Sequence, residues 1–225
     1  VSSQGTLIRI AVLGGTGKEG GGLAFRWARA GYDVIIGSRQ AEKAERAAVE
    51  LNERLGDKIV RGMRNDEAAA EADIVVLTVP YSAHKTILES VRQAVQGKVL
   101  VDVTVPLKPP NTRTVHIPEG RSAAEEAQAL LGDSVRVVSA FQNISSTHLS
   151  DESHLINCDV LICGDDAEAK KDVEVLVKAA GMRGVDAGPL ANAVAAEALT
   201  PVLLSINKRY GVKKAGIRIT GLGQP

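Results

Sequence analysis

A mostly parallel β-sheet covered by helices on both faces is the fold class that this 225-residue sequence predicts, on three observations. Short apolar runs alternate with helical patterns along the whole chain. The 44% hydrophobic fraction is carried by Ala, Val, Leu and Ile, because aromatic residues supply only 3%. Parallel strands buried on both faces have that composition. Connections between the runs are short, as strand–helix–strand crossovers require.

The apolar runs give strands at Leu7–Leu13, Val34–Gly37, Lys58–Val60, Ile74–Val79, Val99–Val103, Val135–Ala140, Val160–Cys163 and Gly184–Asp186. Between them the pattern predicts helices at Gly17–Ala30, Ala41–Leu55, Asp66–Ala72, His84–Val95, Ser122–Leu131, Ala167–Ala180 and Pro189–Tyr210. Pro80 keeps Val79 extended at the end of the fourth strand, and Pro106 closes the fifth in the same layer. Pro106–Arg121 is a long, proline-rich irregular stretch, and loops of that length at a strand end tend to be functional. Asp165-Asp166 reads as an N-cap and a helix-dipole partner for the helix that follows. Leu199-Thr200-Pro201 reads as packing and a kink, with Glu197 part of that packing. After about residue 150 the chain adds two strands, a long Ala-rich helix and a basic tail. These form a small C-terminal domain or an extension of the sheet.

Composition excludes several function classes. Lys and Arg number 27, as do Asp and Glu, so no net positive field draws a nucleic acid. Few aromatics are present to stack on bases. No run approaches about 18 uninterrupted apolar residues, so no membrane span is expected. Residues 1–6 (VSSQGT) lack the charged and apolar regions of a secretion signal, which places the expected location in the cytoplasm. Cys158 and Cys163, five apart in one expected strand, point to opposite faces and read as buried thiols rather than a disulfide. His84, His116, His148 and His154 show no metal-ligand spacing, and no serine stands in a nucleophile setting.

The first strand runs into Gly14-Gly15-Thr16-Gly17-Lys18-Glu19-Gly20, which fits G-x-G-x-x-G at Gly15, Gly17 and Gly20. Glycines allow the tight turn and the approach of backbone to a pyrophosphate, and the next helix offers its free N–H groups. A dinucleotide-binding, Rossmann-like doubly wound sheet follows. The second strand then selects the dinucleotide. NAD binders place an acid about 20 residues past the glycines for the ribose 2′-hydroxyl. Here Ser38-Arg39 stands there, with Lys43 beyond, and these are donors for a 2′-phosphate. NADP(H) is therefore the expected cofactor. His84, near an expected helix start, could face the cleft, cap the helix or lie on the surface. No residue demands a catalytic acid–base role.

Taken together, Gly14-Gly15-Thr16-Gly17, Gly37-Ser38-Arg39 with Glu42-Lys43-Ala44, Leu77-Thr78-Val79-Pro80, Arg121-Ser122-Ala123-Ala124-Glu125, Cys163-Gly164-Asp165-Asp166, Asp186-Ala187-Gly188-Pro189-Leu190 and Leu199-Thr200-Pro201 resemble, in the same order, the NADPH-dependent F420 reductases (F420:NADP oxidoreductases). The resemblance runs over nearly the whole chain after residue 7. It implies hydride transfer between the NADP nicotinamide and the deazaflavin F420, a homodimer, an NADP-binding domain at 7–150 and a small domain at 151–225 completing the deazaflavin site. By position, Thr16, Gly17, Lys18 and Glu19 would line the pyrophosphate turn, with Gly15 in the motif. Ser38, Arg39 and Lys43 would hold the 2′-phosphate. Val79 and Val105 would flank the path to the nicotinamide, and Ser146 and Ala215 would lie near it. Ala140–Ser145 would face the deazaflavin. The chain departs from the family pattern at Gln142, often His, and at Ser146, often Ala. Direct hydride transfer between apposed rings fits a cleft without an obvious acid or base. The alternatives are an NADP-dependent reductase of a small carbonyl or imine with a side-chain proton donor, and a non-catalytic NADP-sensing module.

Overall fold

The computed structural model describes residues 8–150 and 156–222. Leu7 and the segment at the expected domain boundary, 151–155, lie outside the described residues. Eight strands form one sheet: β1 (Arg9–Leu13), β2 (Asp33–Ser38), β3 (Val60–Arg64), β4 (Ile74–Leu77), β5 (Val99–Asp102), β6 (Arg136–Ser139), β7 (Asp159–Gly164) and β8 (Arg183–Asp186). Their order is β3-β2-β1-β4-β5-β6-β7-β8. Every pair is parallel except β6–β7, where Val138 faces Gly164 and Ser139 faces Cys163. The chain winds outward from β1 in one direction to β3, then crosses to β4 and winds the other way. That reversal between β1 and β4 opens a crevice at the carboxyl ends of the strands.

Alternation along the central strands builds two apolar layers. Ile10 and Val12 face α1 (Lys18–Arg29), α2 (Ala41–Leu55) and α7 (Ala167–Ala179), where Trp27, Phe141, Val173 and Leu176 share the core. Ala11 and Leu13 face α3 (Asn65–Glu71), α4 (Tyr81–Val91) and α5 (Ala123–Leu131), with Leu88, Ala124 and Leu131. Each fully buried Leu or Ile contributes about 1.5–3 kcal/mol, so neither layer is dispensable. Trp27 meets Phe141 edge-on at 5.8 Å and donates its indole N–H to Leu176 O at 2.8 Å. This ties the first helix to the C-terminal third of the chain.

Several boundaries move for physical reasons. The third strand lies two residues later than its apolar run. The Asn52 side chain accepts from Ile59 N and Val60 N and donates to Val60 O, holding the entry to a polar edge strand. α4 starts at Tyr81, just after Pro80, rather than at His84. A short helix, α6 (Ser146–Leu149), occupies a segment where none was expected, with Ser145 Oγ accepting from Thr147 N. The last expected helix divides into a 3₁₀ turn, Leu190–Asn192, and α8 (Ala193–Tyr210). Asp166 caps α7 through Ala169 N as read, whereas Asp165 serves a different helix by accepting Leu190 N at 2.9 Å. Cys158 precedes β7 rather than lying in it; both thiols are free and buried, and burial pushes Cys163 up to about 11.

By length and apolar composition, Leu190–Tyr210 could cross a membrane, although no uninterrupted apolar run marks it. In the fold it packs on α5 and β7. The Glu197 carboxyl group, 2% exposed, accepts the first backbone N–H groups of α5, from Ala123 at 2.8 Å and Ala124 at 3.1 Å. Lining up with those donors satisfies a buried acid that would otherwise be costly.

Candidate functional site

The glycine turn leaves β1 with Gly14 at φ +79°, a left-handed conformation suited to glycine, and its position allows no side chain. A Cβ there would lie 2.8 Å from Thr78 O. Gly20 seats α1 on the same strand end, since a Cβ would meet Thr78 Oγ1 at 2.3 Å and Gly15 Cα at 2.8 Å. Thr78 in turn donates both its N–H and its hydroxyl to Leu13 O at 2.9 Å. The first turn of α1 therefore faces the crevice with its N–H groups outward, a ready anion site.

Two cavities meet in this crevice and share Gly17, Thr78, Val79 and Pro80. The smaller, about 280 Å³, brings together Thr16, Ser38, Arg39 and Lys43 from the predicted set. Ser38 is buried at the tip of β2 and its hydroxyl accepts from Gln40 N at 3.3 Å, so it is fixed. Arg39 and Lys43 are exposed, and among the described residues neither enters an ion pair. Two unspent cations beside a fixed hydroxyl form a suitable cradle for a phosphate monoester. The larger cavity, about 580 Å³, collects Lys18, Glu19, Val105, Ser146 and Ala215 from the predicted set. Gly15 lines neither cavity; it is buried beneath the turn, its N–H donated to Val12 O at 3.1 Å.

Residues unnoticed in the sequence complete both cavities. Asn65, first residue of α3, lines the smaller one, and its buried Oδ1 has no partner among the described residues. Thr104, Leu203, Asn207 and Lys213 line the larger one. Nothing local in the sequence marks Asn65, because only the parallel pairing of β3 with β2 carries it beside Ser38.

The wall at 140–147 is held by long-range bonds. Phe141 takes a positive φ of 74°, uncommon for a non-glycine, and is kept there by complete burial against Trp27. Gln142 Nε2 donates to Asp102 O at 2.7 Å and Ser139 Oγ at 2.8 Å, while Thr200 Oγ1 donates to Gln142 O at 2.7 Å. Asn143 Nδ2 donates to Asp159 O at 2.7 Å.

Below this wall lies a buried pair, His84 Nε2 and Asp102 Oδ2, 2.6 Å apart. His84 is neither a cap nor a surface residue, as its position near an expected helix start allowed; it is 2% exposed and lines neither cavity. Burial works against its charge, but the facing Asp102 carboxylate more than offsets that and raises its pKa. Asp102 Oδ1 accepts from Thr104 N at 2.9 Å. The pair thus braces the end of β5, which supplies the cavity floor.

The family model described as NADP oxidoreductase, coenzyme F420-dependent, matches residues 9–106. An F420-dependent NADP reductase of Methanothermobacter thermautotrophicus is 44% identical over 223 residues, 96% of this chain and 96% of that protein. The chain belongs to the F420-dependent NADP oxidoreductase family. A Methanocaldococcus jannaschii F420-dependent NADP reductase is 41% identical over 96% of this chain and 99% of its own length. Among solved structures, an Arthrobacter sp. fb24 protein proposed to be an F420-dependent NADP reductase superposes with TM-score 0.79 at 27% identity, covering 95% and 99% of the two chains. A Bacillus cereus imine reductase shares the fold with this family member, at TM-score 0.62 and 20% identity over 90% of this chain and 63% of its own.

Proposed function

We propose that the protein transfers a hydride reversibly between NADP(H) and the deazaflavin F420. The observation that carries this reading is the joined pair of cavities at the strand-order reversal: one fits a phosphate monoester, and the other is large enough for two apposed rings and lies within the usual 300–1,000 Å³ of ligand pockets. The activity named for the 44% and 41% identical relatives supports it. NADPH supplies the hydride and F420 accepts it; the protein's residues do the placing.

In this reading Ser38, Arg39 and Lys43 hold the 2′-phosphate, and the first N–H groups of α1 take the pyrophosphate beside Thr16, Gly17 and Lys18. Val79 and Val105 supply apolar walls along the path, and Ser146 and Ala215 lie by the ring end. The tethered Gln142–Ser145 segment keeps the deazaflavin side rigid, which favours a near-attack separation of about 3–3.5 Å. The His84–Asp102 pair and Glu197 act as framework rather than as proton donors. We further propose that residues 7–150 bind NADP and residues 151–225 complete the deazaflavin side, that the protein works as a homodimer, and that it acts in the cytoplasm.

The test is to mix purified protein with NADPH and F420 and follow bleaching of the deazaflavin's visible absorbance, then to supply NADP with reduced F420 and look for its return. Tight NADPH binding with no change in either direction between about pH 5 and 9 would overturn the reading and leave a binding module, or a reductase of another acceptor.

A further inference from the structure

Glu19 sits where a phosphate-binding turn has little use for a carboxylate. It is the second residue of α1, in the helical turn whose free N–H groups suit a pyrophosphate. It lines the larger cavity, and among the described residues lining it Glu19 is the one acidic residue. Among the described residues it enters no hydrogen bond or ion pair, although a helix N-terminus would welcome one.

Lys18 and Lys213 line the same cavity and are exposed. Arg26, farther along α1, is turned to the carbonyls of His148, Leu149 and Ala180. His148, on α6 against α1, faces Lys214 O. Arg54, from α2, lies over the Phe25 ring. None of these pairs with Glu19; the residue is half-buried, and desolvation of its carboxyl in the cavity wall pushes it up to about 8.

A bound dinucleotide acts on such a group in two opposed ways. Its pyrophosphate is anionic in both redox states and disfavours a carboxylate nearby. Its nicotinamide ring is neutral when reduced and carries a positive charge when oxidised. An opposite charge within about 4–6 Å shifts a carboxyl pKa by roughly 1–3. We propose that Glu19 carries the proton of the reaction, protonated while NADPH is seated and ionised against the cationic ring once the hydride has left. This inference rests on the hydride-transfer reading above. The balance closes: the hydride leaves the nicotinamide and forms a C–H bond on the deazaflavin, the Glu19 O–H bond breaks to give that reduced ring its proton, and NADP⁺ with the carboxylate remains. Water reprotonates Glu19 as NADP⁺ departs, and the reverse direction retraces each step.

The test reads binding rather than turnover. Dissociation constants for NADP⁺ and NADPH are measured by calorimetry from about pH 6 to 9 in the wild type and in Glu19→Gln. Their ratio is taken, so that titration of the shared 2′-phosphate cancels. Oxidised cofactor selects the carboxylate, so the ratio Kd(NADP⁺)/Kd(NADPH) should fall at least tenfold as pH rises in the wild type, and stay within about twofold in Glu19→Gln. In weak buffer near neutral pH, an indicator should also report about one more proton released by the wild type with NADP⁺ than with NADPH, the shared 2′-phosphate contributing equally to both; this measurement decides the matter if the variant does not fold. A pH-independent ratio in the wild type, the same slope in Glu19→Gln, or equal proton release with both cofactors would overturn the proposal. Failure of the wild type to bind NADPH at all would instead overturn the functional reading beneath it.

Discussion

The two arms of the crevice are built by opposite means. The smaller is rimmed by exposed cations, Arg39 and Lys43, that nothing in the described fold restrains. The larger is walled by buried polar residues: Gln142 and Asn143 are tethered to distant strands, and Thr104 is held by its N–H on Asp102 Oδ1. A mobile cation recognises charge and tolerates imprecise placement, whereas ring apposition fails when a wall moves by about an ångström. On the proposed reading, the contrast makes affinity and chemistry separable, one arm setting Michaelis constants and the other the geometry of transfer.

The largest expected effect comes from breaking the frame of the larger arm. Asp102→Asn leaves His84 buried without its counter-charge, which should cost about 3–5 kcal/mol of stability, read from the urea midpoint. Turnover per folded molecule should drop less than tenfold, because the pair touches neither cavity. A thousandfold loss with the fold intact would recast the pair as acid–base machinery and favour a carbonyl or imine reductase.

At the other arm, Arg39→Ala should raise the Michaelis constant for NADPH ten- to a hundredfold, corresponding to about 1.5–3 kcal/mol, with turnover and NADH kinetics unchanged. Equal losses for both cofactors would mean that Arg39 supports the fold. Lys43→Ala should act in the same direction by only a few-fold, and its effect should shrink as salt is added, since an exposed ammonium is screened. A salt-independent effect would contradict the picture of a mobile rim.

The most gradual effect concerns pH. Burial, helped by the nearby Asp102 charge, outweighs the two N–H donors and raises Glu197 to about 8. A raised folded pKa means that the group's stabilising contribution is present below its ordinary value near 4.5 and is lost as pH climbs towards 8. His84, also raised, contributes in the same direction above 6.5. Stability should therefore decline from about pH 5 to 8, by about 1 kcal/mol per pH unit; Glu19, also raised to about 8, adds to the slope, and Glu197→Gln should remove Glu197's share of it. An unchanged slope would place Glu197 outside the titrating set.

Legibility followed the same division between arms. Thr16, Gly17, Ser38, Arg39 and Lys43 of the smaller arm lie within one strand–turn–helix–strand–helix stretch, so the glycine spacing and Ser38-Arg39 suffice to bring them together. Asn65 escaped because β3 is a polar edge strand whose register only β2 sets. Gly15 matches the motif by spacing, yet its place is under the turn, a difference of face that spacing does not encode. His84 was ambiguous because helix α4 begins three residues earlier than its pattern suggests, which turns that position inward.

Sequence by itself determined the alternation of strands and helices, the anion-ready turn and the cationic rim of the smaller arm. Each is a property of residues near one another along the chain: apolar period, glycine freedom, side-chain charge. Tertiary structure alone decided the rest. Only the folded sheet lays β5, β6 and α8 side by side, so that Asp102 faces His84, Gln142 reaches Asp102 O, and Glu197 caps a helix 73 and 74 residues away. Burial then fixes which carboxyls hold their protons, and burial is a sum over neighbours that no local stretch contains.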